Sequence, residues 1–200
     1  HEHLSFYNVK SIDALCKRAG LNLIDVVKHP AHGMSYIFII SKYRRAPKTI
    51  KNLIDLEARK GLYDTKTYDK YAEKCLDVVD NFKNTIQKYR NMGMPVVGFG
   101  APAKGNTLMN FAGIGPDFTI DENPLKQGLF CPGINVPILS KDELHRLAGY
   151  DRVCFVPLAW NFYDEIKRKI LEARPDSDDI FVRYFPEFEI EEQRLMHHPV

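Results

Sequence analysis

Gly98-Phe99-Gly100-Ala101-Pro102-Ala103-Lys104-Gly105 follows directly on the apolar run Pro95-Val96-Val97 and leads into residues 106–111, whose apolar pattern is helical. A short buried strand running into glycines and then into a helix has a defined physical purpose. Gly98 and Gly100 permit a tight reversal and let a ligand approach the backbone, and the small Ala101 and Ala103 keep that approach clear. The free N–H groups at the helix start, together with the helix dipole, favour a phosphate, and Lys104 adds a positive charge within reach. The pattern departs from GxGxxG, because Ala stands at 103 and the last glycine is Gly105.

Outward from the turn, period-2 and period-3.6 patterns alternate. Residues 117–120 form a second strand ending in Asp121, about twenty residues beyond the glycines, where an acid can accept hydrogen bonds from ribose hydroxyls. Residues 136–138 are extended. Ser140 and Glu143 make a capping box for a short helix over 141–147. A third core strand spans 152–156, an amphipathic helix spans 161–172 with Phe162, Ile166, Ile170 and Leu171 inward, and 180–182 is the last strand. Such alternation predicts a Rossmann-like α/β domain over 94–200, with a mainly parallel sheet and flanking helices. The polar loop holding Asn123 and Lys126, and the Trp160-Asn161 pair after the third core strand, fall where parallel sheets place ligands. Asn161 is also a good helix N-cap, and Trp160 can equally serve packing.

Upstream, Ser11 reads as the N-cap of a helix carrying Ile12, Leu15, Cys16 and Ala19 on one face, and Gly20 ends it. Strands at 21–27 and 35–41 then predict an antiparallel hairpin on a sheet edge. Residues 44–93 read as a basic connector followed by a long helix from 67 to 91, with Tyr71, Leu76, Val79, Phe82, Ile86 and Tyr89 as its buried stripe.

Composition narrows the function classes. With 44% hydrophobic and 27% charged residues the chain can build a packed core. A net charge of +2 is too small to make nucleic acid or a membrane surface a bulk electrostatic partner. The apolar run Tyr36-Ile37-Phe38-Ile39-Ile40 has strand length, far short of the ~20 residues of a membrane helix. Cys16, Cys75, Cys131 and Cys154 form no CxxC pair, so no metal site is expected, and scattered cysteines suit a reducing cytoplasm. The opening His1-Glu2-His3-Leu4 reads as the middle of a domain, and the chain as a piece of something longer.

Taken together, several segments resemble the sugar C-methyltransferase family, which methylates a carbon of a nucleotide-linked deoxysugar using S-adenosylmethionine. They are Glu2-His3-Leu4-Ser5-Phe6-Tyr7, His32-Gly33-Met34-Ser35, the glycine turn continued through Asn106-Thr107, Asp121-Glu122-Asn123-Pro124-Leu125-Lys126-Gln127-Gly128, Pro132-Gly133, and Leu158-Ala159-Trp160-Asn161-Phe162. The resemblance implies that residues 1–43 are the last helix and hairpin of a class I methyltransferase domain. It places the S-adenosylmethionine site in an upstream part absent from this chain, which would be the missing partner domain. It also implies that Glu2 and His3 are the catalytic pair, His3 removing the proton next to the sugar's keto group while Glu2 orients it. The family's loop reads HGGS, and Met34 stands here in place of the second glycine.

The substrate-binding residues expected on this basis are His32, Gly98, Gly100, Ala101, Ala103, Lys104, Gly105, Asn106, Asp121, Asn123, Lys126, Trp160 and Asn161. Exposed strand edges in the first module would promote pairing of chains into a homo-oligomer. Two other readings stay open: a free-standing nucleotide- or sugar-nucleotide-binding module without catalysis, and an NAD(P)-dependent oxidoreductase domain suggested by the glycine turn and Asp121.

Overall fold

The computed structural model describes residues 5–30 and 34–193. Glu2, His3 and His32 therefore lie outside the described residues. The chain forms two compact units, residues 1–72 and 73–200.

In the first unit, helix α1 (Val9–Arg18) is followed by strands β1 (Asn22–His29) and β2 (Ser35–Ser41) and by helix α2 (Lys48–Arg59). The N-cap of α1 is Asn8, not Ser11. The Asn8 side chain accepts from Ser11 N at 2.8 Å, and Ser11 Oγ accepts from Asn8 N at 3.0 Å, a reciprocal capping box. Two further orphan donors of α1 are met by a buried carboxylate from α2, since Val9 N and Lys10 N donate to Glu57 at 3.0 and 3.4 Å. The Tyr63 hydroxyl donates to the same carboxylate. Strands β1 and β2 pair antiparallel from Asn22↔Ser41 to His29↔Ser35, the expected hairpin, which among the described residues is a two-stranded sheet. Val9, Ile12, Cys16, Leu23 and Ile50 form the small core beneath. The basic connector proves to be largely helical, because α2 places Ile50 and Glu57 on one buried side.

Helix α3 (Thr65–Asn91) runs from the first unit into the second. Its expected stripe is buried only in the C-terminal half, at Phe82, Ile86 and Tyr89, whereas Tyr71 and Leu76 are exposed. The second unit then continues with β3 (Val96–Phe99), α4 (Ala103–Ala112), β4 (Phe118–Ile120), β5 (Ile138–Leu139), α5 (Glu143–Arg146), β6 (Cys154–Pro157), α6 (Tyr163–Ala173), β7 (Ile180–Arg183) and β8 (Glu189–Glu192). The six strands lie in the order β5-β4-β3-β6-β7-β8. All neighbours are parallel except β7 and β8. This is the Rossmann order, and it reverses direction between β3 and β6.

Alternation along the strands divides the core in two. Val96, Cys154, Val156, Ile180 and Val182 pack with Phe82 and Ile86 of α3 and Met109 of α4 on one face. Val97, Phe99, Phe155 and Phe181 pack with Leu144 of α5 and with Ile166 and Ile170 of α6 on the other. At the amino ends of β6 and β7 a buried ion pair ties three segments together. Arg174 Nε donates to Asp179 Oδ2 at 2.8 Å, the Arg174 Nη groups reach Leu147 O at 2.6 Å and Tyr150 O at 2.8 Å, and Val153 N donates to Asp179 Oδ1 at 2.9 Å.

Several local expectations are corrected. Ser140 and Glu143 do not form a capping box: the N-cap of α5 is Asp142, and Ser140 Oγ bonds to Asp142 itself. Asn161 is not a helix cap but the middle of a 3₁₀ turn, Trp160–Phe162, and α6 starts after it. Consequently Tyr163, not Phe162, faces the core. Strand β8 lies beyond the last expected strand and pairs antiparallel on the sheet edge.

Candidate functional site

The glycine turn leaves β3 at the point where strand order reverses. Gly100 has φ +85°, a left-handed conformation that a side chain disfavours. The turn is held by both neighbouring strands. Gly100 N donates to Ile120 O at 2.6 Å, Thr119 Oγ1 donates to Gly100 O at 2.8 Å, and Leu158 N donates to Phe99 O at 2.8 Å. Its glycines divide the work differently from the expectation. Gly98 sits inside β3, where a Cβ would lie 2.8 Å from Thr119 Oγ1 and 3.0 Å from Pro116. Gly105 sits in α4, where a Cβ would lie 2.9 Å from Leu158 Cβ. Both glycines bring backbone elements together, and only Gly100 shapes the mouth of the crevice.

Helix α4 begins at Ala103 with Pro102 as its N-cap and no side-chain cap. Its first N–H groups therefore point out of the turn without a capping oxygen, as a phosphate requires. Lys104 projects from this first turn, its Nζ 5.2 Å from the centre of the Trp160 ring, and Trp160 in turn lies against Phe185 with ring centres 4.5 Å apart. Trp160 thus joins α4 to the β6–α6 connection and holds a cation at the mouth. One turn further, Asn106 Oδ1 is buried with no hydrogen-bond partner, an acceptor open to a donor.

Asp121, Asn123 and Lys126 come together with Ala101. Asp121 Oδ2 accepts from Ala101 N at 2.7 Å and from Lys126 Nζ at 3.1 Å, and Asp121 Oδ1 accepts from Asn123 N at 2.9 Å. Lys126 Nζ also donates to Ala101 O at 3.0 Å. The acid and the lysine therefore clasp both polar groups of Ala101 and fix the turn, with Asp121 itself only 8% exposed. Burial pushes the Asp121 carboxyl up, but the Asn123 and Ala101 amides and Lys126 outweigh it and hold it below its ordinary value. Asn123 Oδ1 accepts from Leu125 N at 3.0 Å and so serves the loop. Asn161 and Ala103 are exposed.

On the α6 face a cleft of 260 Å³ opens beside Gly100 and Ala159, with Glu122, Phe162, Glu165 and Lys169 on its walls. A second cleft of 290 Å³ adjoins it, sharing Phe99, Glu122 and Lys169. Glu122, Glu165 and Lys169 were not among the expected site residues. Their signal, a second acid after Asp121 and a Glu-x₃-Lys spacing on a helix, is common on any surface. Another cleft, 470 Å³, lies at the opposite ends of β3 and β4, around Arg90 and Asp117. Its charges are matched within the protein, Arg90 to Asp117 and Arg146 to Glu143. Open α/β sheets bind ligands at the carboxyl ends of the strands, so the crevice at Gly100 is the candidate site. Among the described residues no His, Cys, Asp or Glu group is arranged to hold a metal, and burial pushes the Cys154 thiol up to about 12.

Among the described residues no helix is long and apolar enough to cross a membrane. The chain is 28% identical over 172 residues to the C-methyltransferase NovU of Streptomyces niveus, an alignment covering 83% of this chain and 40% of that protein. It thus spans well under half the length of that relative. Residues 30–186 match the family model described as the C-methyltransferase C-terminal domain, and this range takes in the whole glycine turn, the Asp121 clasp and both walls of the crevice, so the chain belongs to that family.

Proposed function

We propose that this chain is the C-terminal, substrate-binding part of an S-adenosylmethionine-dependent C-methyltransferase acting on a nucleotide-linked deoxysugar. The observation that carries this reading is the asymmetry of the crevice. One side offers an uncapped helix start with Lys104 held over Trp160. The other offers a cleft walled by Glu122 and Glu165. A sugar nucleotide has the matching asymmetry, with an anionic diphosphate next to groups rich in hydroxyl donors.

The methyl donor does not fit here. Its sulfonium would meet Lys104 and the positive end of α4, which repel a cation and attract a phosphate. The donor belongs to the upstream part that the family resemblance implies. The proton transfer is assigned to Glu2 and His3. A proton next to a ketone is acidic enough for an imidazole oriented by a carboxylate to remove it.

Calorimetric titration with a thymidine diphosphate sugar, with NAD and S-adenosylmethionine as controls, tests the reading. The sugar nucleotide alone is expected to bind, and Lys104→Ala to weaken it roughly 5- to 10-fold through loss of one charged contact. Binding of NAD alone would return the oxidoreductase reading. An unchanged affinity in Lys104→Ala would remove the phosphate assignment.

A further inference from the structure

A carboxylate at the end of the strand after the glycine turn is the usual acceptor for ligand hydroxyls. Here that position, Asp121, already accepts from the Ala101 and Asn123 amides and from Lys126. Withdrawing it would release the turn. The next residue is an acid too, but an open one. Glu122 walls both clefts, its side chain is 49% exposed, and it holds Lys169 at 2.7 Å.

Resting on the function proposed above, we propose that Glu122, not Asp121, is the specificity-determining acid of the crevice, and that it recognises a vicinal diol on the bound sugar nucleotide. A carboxylate presents two acceptor oxygens side by side, and a vicinal diol presents two donors at matching spacing. The exchange needed to free Glu122 is mild. Lys169 also pairs with Glu165 at 3.0 Å, so it keeps one carboxylate when Glu122 turns to the ligand. All three side chains touch solvent, so none is left as a buried unpaired charge. Glu122 and Glu165 outnumber the Lys169 they share, so this wall carries a net negative charge and leaves the diphosphate to the start of α4. Two parts of a sugar nucleotide can supply the diol, the ribose and the hexose.

The test is calorimetric titration of the wild-type chain, Glu122→Ala, Glu122→Gln and Lys104→Ala with four probes: dTDP, UDP, dTDP-glucose and UDP-glucose. Thermal unfolding confirms that each variant is folded. Only dTDP among the four carries no vicinal diol. The expected result is a loss of about 10-fold for diol-bearing probes in Glu122→Ala, with dTDP unchanged and Glu122→Gln intermediate. A loss with UDP identifies the ribose as the diol. A loss with dTDP-glucose but not with UDP identifies the hexose. Equal losses for all four probes, or none for any, overturn the assignment. If Lys104→Ala weakens all four while Glu122→Ala weakens none, only this inference fails. If no probe binds the wild-type chain, the function proposed above fails and this assignment with it.

Discussion

Strand β2 of the first unit and strands β3 and β6 of the second are all mainly apolar, yet the two units use them differently. In β3 and β6 every residue is buried, because helices cover both faces. In β2 the apolar run Tyr36-Ile37-Phe38-Ile39-Ile40 stays largely open, with Ile37 50% and Ile39 40% exposed. In the first unit α1 and α2 pack on the Leu23, Val26 and Phe38 side of the hairpin, and among the described residues Ile37 and Ile39 on its other side stay exposed. The comparison teaches that apolar strand composition reports a capacity for burial, and that the number of covering layers decides whether it is used. An exposed apolar face of this kind marks a surface suited to a partner.

Three variants probe the comparison, from large effect to small. Asp179→Ala strips the buried Arg174 of its counter-ion. It is expected to lower the stability of the second unit by about 3–5 kcal/mol in urea unfolding. If the first unit's signal shifts equally, the two unfold as one and the contrast between them is only geometric. Gly105→Ala forces a methyl against Leu158, and an overpacking cost of about 1–2 kcal/mol is expected, after allowing for the better helix propensity of alanine. A neutral or stabilising result would mean that α4 can lift from β6 freely. Finally, Ile37→Lys with Ile39→Lys should change stability by less than about 0.5 kcal/mol and should reduce any self-association measured by ultracentrifugation. A clear destabilisation would show that another chain covers this face in solution.

Much of the second unit was legible because its signals are local. A β-strand ending in glycines, a helix, and an acid twenty residues on are each written in a few adjacent residues, and the alternation of strands and helices points to a mainly parallel sheet. What escaped depended on distant partners. The spacing of Asp121 pointed to a ligand, but Lys126 reaches back from the following loop and claims the acid, a geometry that spacing does not record. Tyr71 and Leu76 continue the period of α3, yet the core ends before them. Strand β8 (Glu189–Glu192) was hidden by its charge, which suits an edge strand facing water. Helix α2 was readable in principle, since Ile50, Leu53, Ile54 and Glu57 keep helical period, but the basic residues before it suggested a plain linker. The crevice was legible at Gly100, Lys104 and Trp160, while Glu122, Glu165 and Lys169 converge only through the fold.

The close contacts of Gly98 and Gly105 also set how this domain can change over generations. A methyl group at 98 collides with Thr119 on the next strand, and one at 105 collides with Leu158 on the other side. Each glycine is therefore paired with a buried residue on a different neighbour, Thr119 in β4 and Leu158 just after β6, and neither can drift alone. Each clash includes the partner's own Cβ, 2.9 Å away, which every residue but glycine carries, so trimming Thr119 or Leu158 makes no room and only a shift of the backbone does. Descendants should consequently inherit the glycine, its partner and the turn between them as a linked set, while the exposed positions at 103 and 161 vary independently.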